Sequence, residues 1–153
     1  VLADAIGTLG MIGGQVADVE SDGRTDVTEE DVRFIHTRKT AKLIEASLVM
    51  GAITADADDA SVETIAGFGS RIGLAFQVVD DILDIESSDE VLGKTVGSDE
   101  ASDKTTYPKV IGLDESKTLA RTTVSEALAL LSAIDGDTSM LEGLAQFVVD
   151  RVN

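Results

Sequence analysis

Phe76-Gln77-Val78-Val79-Asp80-Asp81-Ile82-Leu83-Asp84 is the stretch on which the fold turns. Set on a helix at about 100° per residue, its residues separate into two sectors. Gln77, Asp80, Asp81 and Asp84 share one strip roughly 100° wide. The rest of the circumference is apolar, with Phe76, Val79 and Leu83 on one side and Leu74, Val78, Ile82 and Ile85 on the other. A helix so hydrophobic belongs in a core. Three carboxylates within one turn of a buried helix repel each other and lose hydration, unless protons or cations neutralise them. Oxygen ligands with no His or Cys beside them suit Mg2+, a hard ion that takes one or two carboxylates, keeps waters and shares substrate phosphates.

Outward from this stretch the pattern stays helical. Period-two runs of β-branched residues are missing and Pro108 is the single proline, so the chain is expected to be all-α, with about six helices. The first spans Val1 to about Val19, and its Gly10, Gly13 and Gly14 permit close approach of a neighbour. It opens in mid-pattern with no capping residue, so the chain is expected to begin inside a helix of a longer protein. Thr28 and Asp31 resemble a capping box opening a second helix that runs to about Met50, with Gly51 ending it. A third is expected from about Asp58 to Ser87. The charged, glycine-punctuated stretch from Ser88 to Lys104 is expected to be a mobile loop. Helices at about Tyr107–Gly112, Asp114–Ala133 and Ser139–Val152 follow, and 153 residues suit one domain.

Composition narrows the partners. A net charge of −17 repels phosphate backbones and anionic lipid at long range, so nucleic acid and membrane headgroups are poor partners and metal cations good ones. No apolar run approaches the roughly 20 residues that cross a bilayer, and no signal-peptide pattern opens the sequence. Zero cysteines exclude disulfides and thiolate metal sites. Cytoplasm is the expected address.

Basic residues add the complementary charge. Val32, Ile35, Lys39, Leu43, Ala46 and Met50 fall on one helical stripe, so Lys39 is expected to interrupt an apolar face, where a buried ammonium needs an anion. Thr40 adds a hydroxyl, and the lone His36 is expected to pack rather than to catalyse. Lys94 and Lys104 sit in the loop after the acidic helix, where closing over a metal-bound phosphate would neutralise charge and exclude water.

The stretch Phe76 to Asp84 resembles the second aspartate-rich motif, FQxxDDxxD, of the trans-polyprenyl synthetase family. Gly13-Gly14-Gln15 with Asp18, Lys39-Thr40, Gly93-Lys94 and Lys104-Thr105-Thr106-Tyr107-Pro108 are similar to further family landmarks, in family order. The resemblance implies the C-terminal part of the isoprenoid synthase helical bundle, with the family's first aspartate-rich motif upstream of residue 1. It also implies a Mg2+-dependent prenyltransferase, with Mn2+ as a substitute ion, that joins isopentenyl diphosphate to an allylic diphosphate and releases pyrophosphate. Under it, Asp80 and Asp84 hold the metal with Asp81 in support. Lys39, Lys94 and Lys104 neutralise diphosphate oxygens, and Thr40 and Gln77 line the pocket. A homodimer is implied as well, and these residues alone are expected to be inactive. Asp103 stands where the family has Gly before the second loop lysine.

Two rivals follow from the same residues. Asp18, Glu20, Asp22, Gly23 and Glu29 approach the spacing of an EF-hand calcium loop, with Glu20 long for its position and Thr25 where an apolar residue is expected. A class I terpene cyclase shares the bundle and metal-assisted ionisation but usually carries an Asn/Ser/Glu second motif.

Overall fold

The computed structural model describes the backbone of residues 1–92 and 105–152 and the side chains of 1–87 and 105–152. Lys94 and Lys104, with most of the expected loop, lie outside the described residues. The fold is all-α, without a strand among the described residues. Helices α1 (Leu2–Ile6), α2 (Met11–Ser21) and α3 (Glu29–His36) lead into a π-helical turn, Thr37–Ala41, and then α4 (Lys42–Thr54). Helix α5 (Asp59–Leu92), α6 (Tyr107–Ile111), α7 (Leu113–Leu131) and α8 (Ser139–Asp150) complete it.

Helix α5 is the axis of the bundle. Its Phe68, Ile72, Ala75, Val78, Val79 and Ile82 are all buried. They pack with Ala120, Val124, Ala127 and Leu131 of α7 and with Ala145, Val148 and Val149 of α8. Full burial of one such Val or Ile contributes about 1.5–3 kcal/mol, which explains why so apolar a helix lies at the centre. Among the described residues no helix is long and apolar enough to cross a membrane.

Several boundaries differ from the sequence expectation for local reasons. The first expected helix is broken at Gly7–Gly10, in a turn so close that a Cβ on Gly10 would strike the backbone of Ala5. The Thr28–Asp31 capping box forms, with Thr28 N donating to Asp31 Oδ2 at 2.9 Å and Asp31 N to Thr28 Oγ1 at 3.3 Å. Gly51 does not end its helix. It sits exposed inside α4, which runs on to Thr54 and stops where Asp56 takes a positive φ of 55°. Helix α5 also continues past Ser87 to Leu92.

The π-helical turn matters most for the site. Lys42 N donates to Thr37 O, five residues back, so one extra residue is accommodated and the helical register rotates. Of the expected stripe, Val32, Ile35 and Ala46 are buried, but Lys39 and Met50 are only partly covered and Leu43 is exposed, while Ala41 and Val49 join the buried side.

Candidate active site

Two glycines bring three segments together at the π-helical turn. A Cβ on Gly14 of α2 would collide with the backbone nitrogen of Lys39, and one on Gly73 of α5 would lie 2.5 Å from Ala41 Cα. Only bare backbone permits both approaches. The turn is thus gripped between α2 and α5, and Lys39 and Thr40 emerge from it side by side.

Each then meets a partner across the grip. Lys39 Nζ donates to Asp18 Oδ2 of α2 at 2.5 Å, and Thr40 Oγ1 to Gln77 Oε1 of α5 at 2.8 Å. The Lys39 side chain is 36 % exposed, so the expected buried ammonium is corrected to one at the lip of a cleft. That cleft, of about 100 Å³, is lined by Asp18, His36, Lys39, Gln77, Asp81 and Asp84 together with Thr105 and Thr106. Thr105 Oγ1 donates to Ser21 O at 3.4 Å, tying the residues before α6 to the end of α2.

The aspartate trio does not behave as one unit. Asp81, at one edge of the strip, turns inward: it is buried, and its Oδ2 lies 2.7 Å from His36 Nε2 and accepts from Tyr107 N at 3.0 Å. This lone histidine is packed, as expected, between α5 and the start of α6. Asp80, at the opposite edge, faces α8, where Arg151 Nη1 donates to Asp80 Oδ1 at 2.8 Å. Asp84 lies between them and is exposed. A uniformly buried acidic strip is therefore corrected: only Asp81 is buried. Farther along, Lys117 reaches Glu86 at 2.6 Å.

Among the described residues no three His, Asp or Glu side chains converge on one point. Asp84 offers a water-accessible carboxylate on the cleft that Lys39 also lines, and Asp80, outside that lining, offers a second, partly exposed one a helical turn earlier. An all-protein calcium cage does not fit such a set. A Mg2+ ion does, because it takes one or two carboxylates and completes its shell with water and phosphate oxygens. The EF-hand reading fails on its own segment: α2 holds Asp18 and Glu20 in helix through Ser21, and Asp18 is engaged by Lys39.

Above this site Tyr107 is fully buried, and its hydroxyl has no hydrogen-bond partner among the described residues. Burial pushes that hydroxyl up to about 12.

A sequence model of the polyprenyl synthetase family matches residues 2–138. The chain belongs to this family. It is 44% identical to the farnesyl diphosphate synthase of Bacillus subtilis over 98% of its own length and 50% of that protein's. It is 46% identical to a chloroplastic geranylgeranyl pyrophosphate synthase of Capsicum annuum over 99% of its length and 42% of that protein's. The chain thus spans about half the length of the curated relatives it matches. Its fold superposes on a geranyltransferase of Helicobacter pylori, solved in complex with magnesium and isoprenyl diphosphate. There the TM-score is 0.73 and the identity 32%, over 97% of this chain and 50% of that one. A farnesyl/geranylfarnesyl diphosphate synthase structure from Zymomonas mobilis gives a TM-score of 0.80 at 28% identity, over 96% and 48%. The synthetase match sets aside the terpene cyclase alternative.

Two groups at this site escaped the sequence reading. Asp18 was visible as part of a glycine-containing landmark and of the calcium-loop alternative but not as the partner of Lys39, and Arg151 not at all, because no spacing relates it to Asp80. Scarcity was the available signal, since the chain has 12 Lys and Arg against 29 Asp and Glu.

Proposed function

We propose that the protein to which this chain belongs is a prenyltransferase that condenses isopentenyl diphosphate with an allylic diphosphate, head to tail, and releases pyrophosphate. In this reaction the allylic C–O bond breaks, the double bond of isopentenyl diphosphate supplies the electron pair for the new C–C bond, and a proton is lost. The observation that carries the reading is the setting of Asp84 and Lys39 on one helix-built cleft, with Asp80 partly exposed one helical turn before Asp84. Mg2+, when bound, would screen the diphosphate charge and favour its departure.

The chain's own residues do the rest. Asp80 and Asp84 would hold the metal, with Mn2+ as a substitute, while Asp81 fixes their helix through His36 and Tyr107. Lys39 would leave Asp18 for a diphosphate oxygen, stabilising the charge that develops as the bond breaks. Lys94 and Lys104 are proposed for the same task. The Thr40–Gln77 pair presents oxygen dipoles where the allylic cation forms. The first aspartate-rich motif is proposed to come from outside these residues, which by themselves would be inactive.

The test is condensation by the full-length protein, followed by pyrophosphate release with and without Mg2+. Asp80→Ala should lower turnover on the order of 10³-fold, the equivalent of several kcal/mol of metal stabilisation. Near-parental turnover in that variant would refute the metal role. The reading includes a cytoplasmic homodimer. Leu9, Ile12, Val16 and Val19, exposed along one face of α2 and the turn before it, support a further protein surface there. A monomeric full-length protein in sedimentation would refute the dimer.

A further inference from the structure

The carboxylates along α5 each meet a different fate, and Asp80 meets a cation. Asp81 is satisfied from inside, Glu86 is held by Lys117, and Asp84 stands exposed. Of the three aspartates of the strip, Asp80 combines partial exposure with an ion pair to an arginine, Arg151 just past the end of α8. The guanidinium is held at two points: its Nη1 lies 2.8 Å from Asp80 Oδ1, and its carbon lies 5.2 Å from the centre of the Phe76 ring. Both partners are about one-third exposed, 29 % for Arg151 and 33 % for Asp80, so the pair is neither locked in the core nor dissolved in water. Phe76 precedes Asp80 by one helical turn, and the guanidinium can slide along its face when the carboxylate is taken.

We propose that Arg151 is the resident counter-ion of Asp80, and that a divalent cation binds Asp80 by displacing it. The inference rests on the metal reading of Asp80 given above. A positive charge already on Asp80 makes the local exchange one of +1 for +2, which lowers metal affinity in the absence of diphosphate. It also ties the residues just past α8 to metal loading: Arg151 on Asp80 marks the metal-free state, and Arg151 released marks the loaded one.

The experiment is Mn2+ titration of the full-length protein without diphosphate, bound and free ion being distinguished by electron paramagnetic resonance. The relevant component is the Mn2+ lost in Asp80→Asn. Arg151→Gln should tighten that component by about threefold to fivefold, the size set by a partly exposed ion pair. Lys117→Gln, which removes the same charge from α7 where it faces Glu86 on another turn of α5, should shift it much less. Should Arg151→Gln fail the check of helical circular dichroism, Arg151→Lys keeps the charge with a weaker grip and should bind more tightly than the parent, by less. Unchanged or weaker binding in the folded Arg151 variant, with Asp80→Asn still losing Mn2+, overturns the displacement and leaves Asp80 a ligand. Equal tightening in Lys117→Gln overturns it too, since net charge would suffice. Undiminished Mn2+ binding in Asp80→Asn overturns the metal reading itself.

Discussion

Replacing Gly73 by alanine should destabilise the protein even though alanine is the better helix former. A Cβ there would lie 2.5 Å from Ala41 Cα and 2.7 Å from Ala41 Cβ, whereas carbon atoms in contact settle at about 3.5–4.0 Å. Neither neighbour is the end of a flexible side chain, so α5 and the π-helical turn must part by about 1 Å. Overpacking of this kind costs about 1–3 kcal/mol. Helix propensity offsets up to about 1 kcal/mol of that, leaving a loss of up to about 2 kcal/mol. At roughly 2–4 °C per kcal/mol, the melting temperature should fall by up to about 8 °C. The Thr40–Gln77 hydrogen bond crosses the same gap, and a 1 Å misplacement at a reacting centre costs on the order of 10²-fold in turnover. Thermal unfolding by circular dichroism, with turnover of the full-length protein, reads both. Gly51→Ala is the internal control: that glycine is exposed in α4 with nothing within 4 Å of a new Cβ, so the variant should melt above the parent. If Gly73→Ala melted like Gly51→Ala and kept its turnover, the grip on the turn would be wrong.

Asp81→Ala should lose about 1.5–3 kcal/mol of stability, the value of a hydrogen bond to a carboxylate, because His36 and Tyr107 N lose their shared acceptor; Asp80→Ala should unfold close to the parent, and chemical denaturation compares the two. Tyr107 supplies a pH prediction. Its folded value, about 12, lies above the ordinary tyrosine value of 10.0, so its contribution to stability is fully present below about pH 10 and is lost as pH rises through 12. The loss amounts to about 3 kcal/mol. Tyr107→Phe should remove this alkaline component and cost little at neutral pH, since the hydroxyl has no partner among the described residues; unfolding at neutral and alkaline pH checks it, and an equal alkaline loss in the variant would refute it. Lys39→Met should raise the KM for the allylic diphosphate and lower turnover by about 10²-fold, whereas Asp18→Asn, which only frees Lys39, should cost less; steady-state kinetics ranks them.

What the sequence made legible was what repeats within a helix or sits at a fixed local offset. Thr28 and Asp31 are three residues apart, and their capping box could be read and then seen. The two sectors of α5 followed from spacing alone, and the apolar one is the core. A helical wheel, however, orders residues around an axis without saying which neighbour stands at each edge. Asp80 and Asp81 are adjacent in sequence, yet they point to opposite margins of the strip, one to Arg151 and the other to His36. That difference separates a cation-accessible carboxylate from a structural one, and it depends on α3, α6 and α8. The π-helical turn was hidden for another reason. Ideal periodicity through Thr37–Ala41 assumes a constant rotation per residue, and one added residue rotates the later side chains, so that Leu43 leaves the buried face while Ala46 stays on it. Lys39 consequently reads as a charge on an apolar stripe when it stands at a cleft. The glycines that hold the turn show the same limit: Gly14 and Gly73 are required by the backbones they touch, Gly51 by none. Composition cannot tell these apart, because the requirement lies in the distance between two helices. The chemistry is thus written in residue types along α5, and its geometry in the places where glycine lets other segments come close to it.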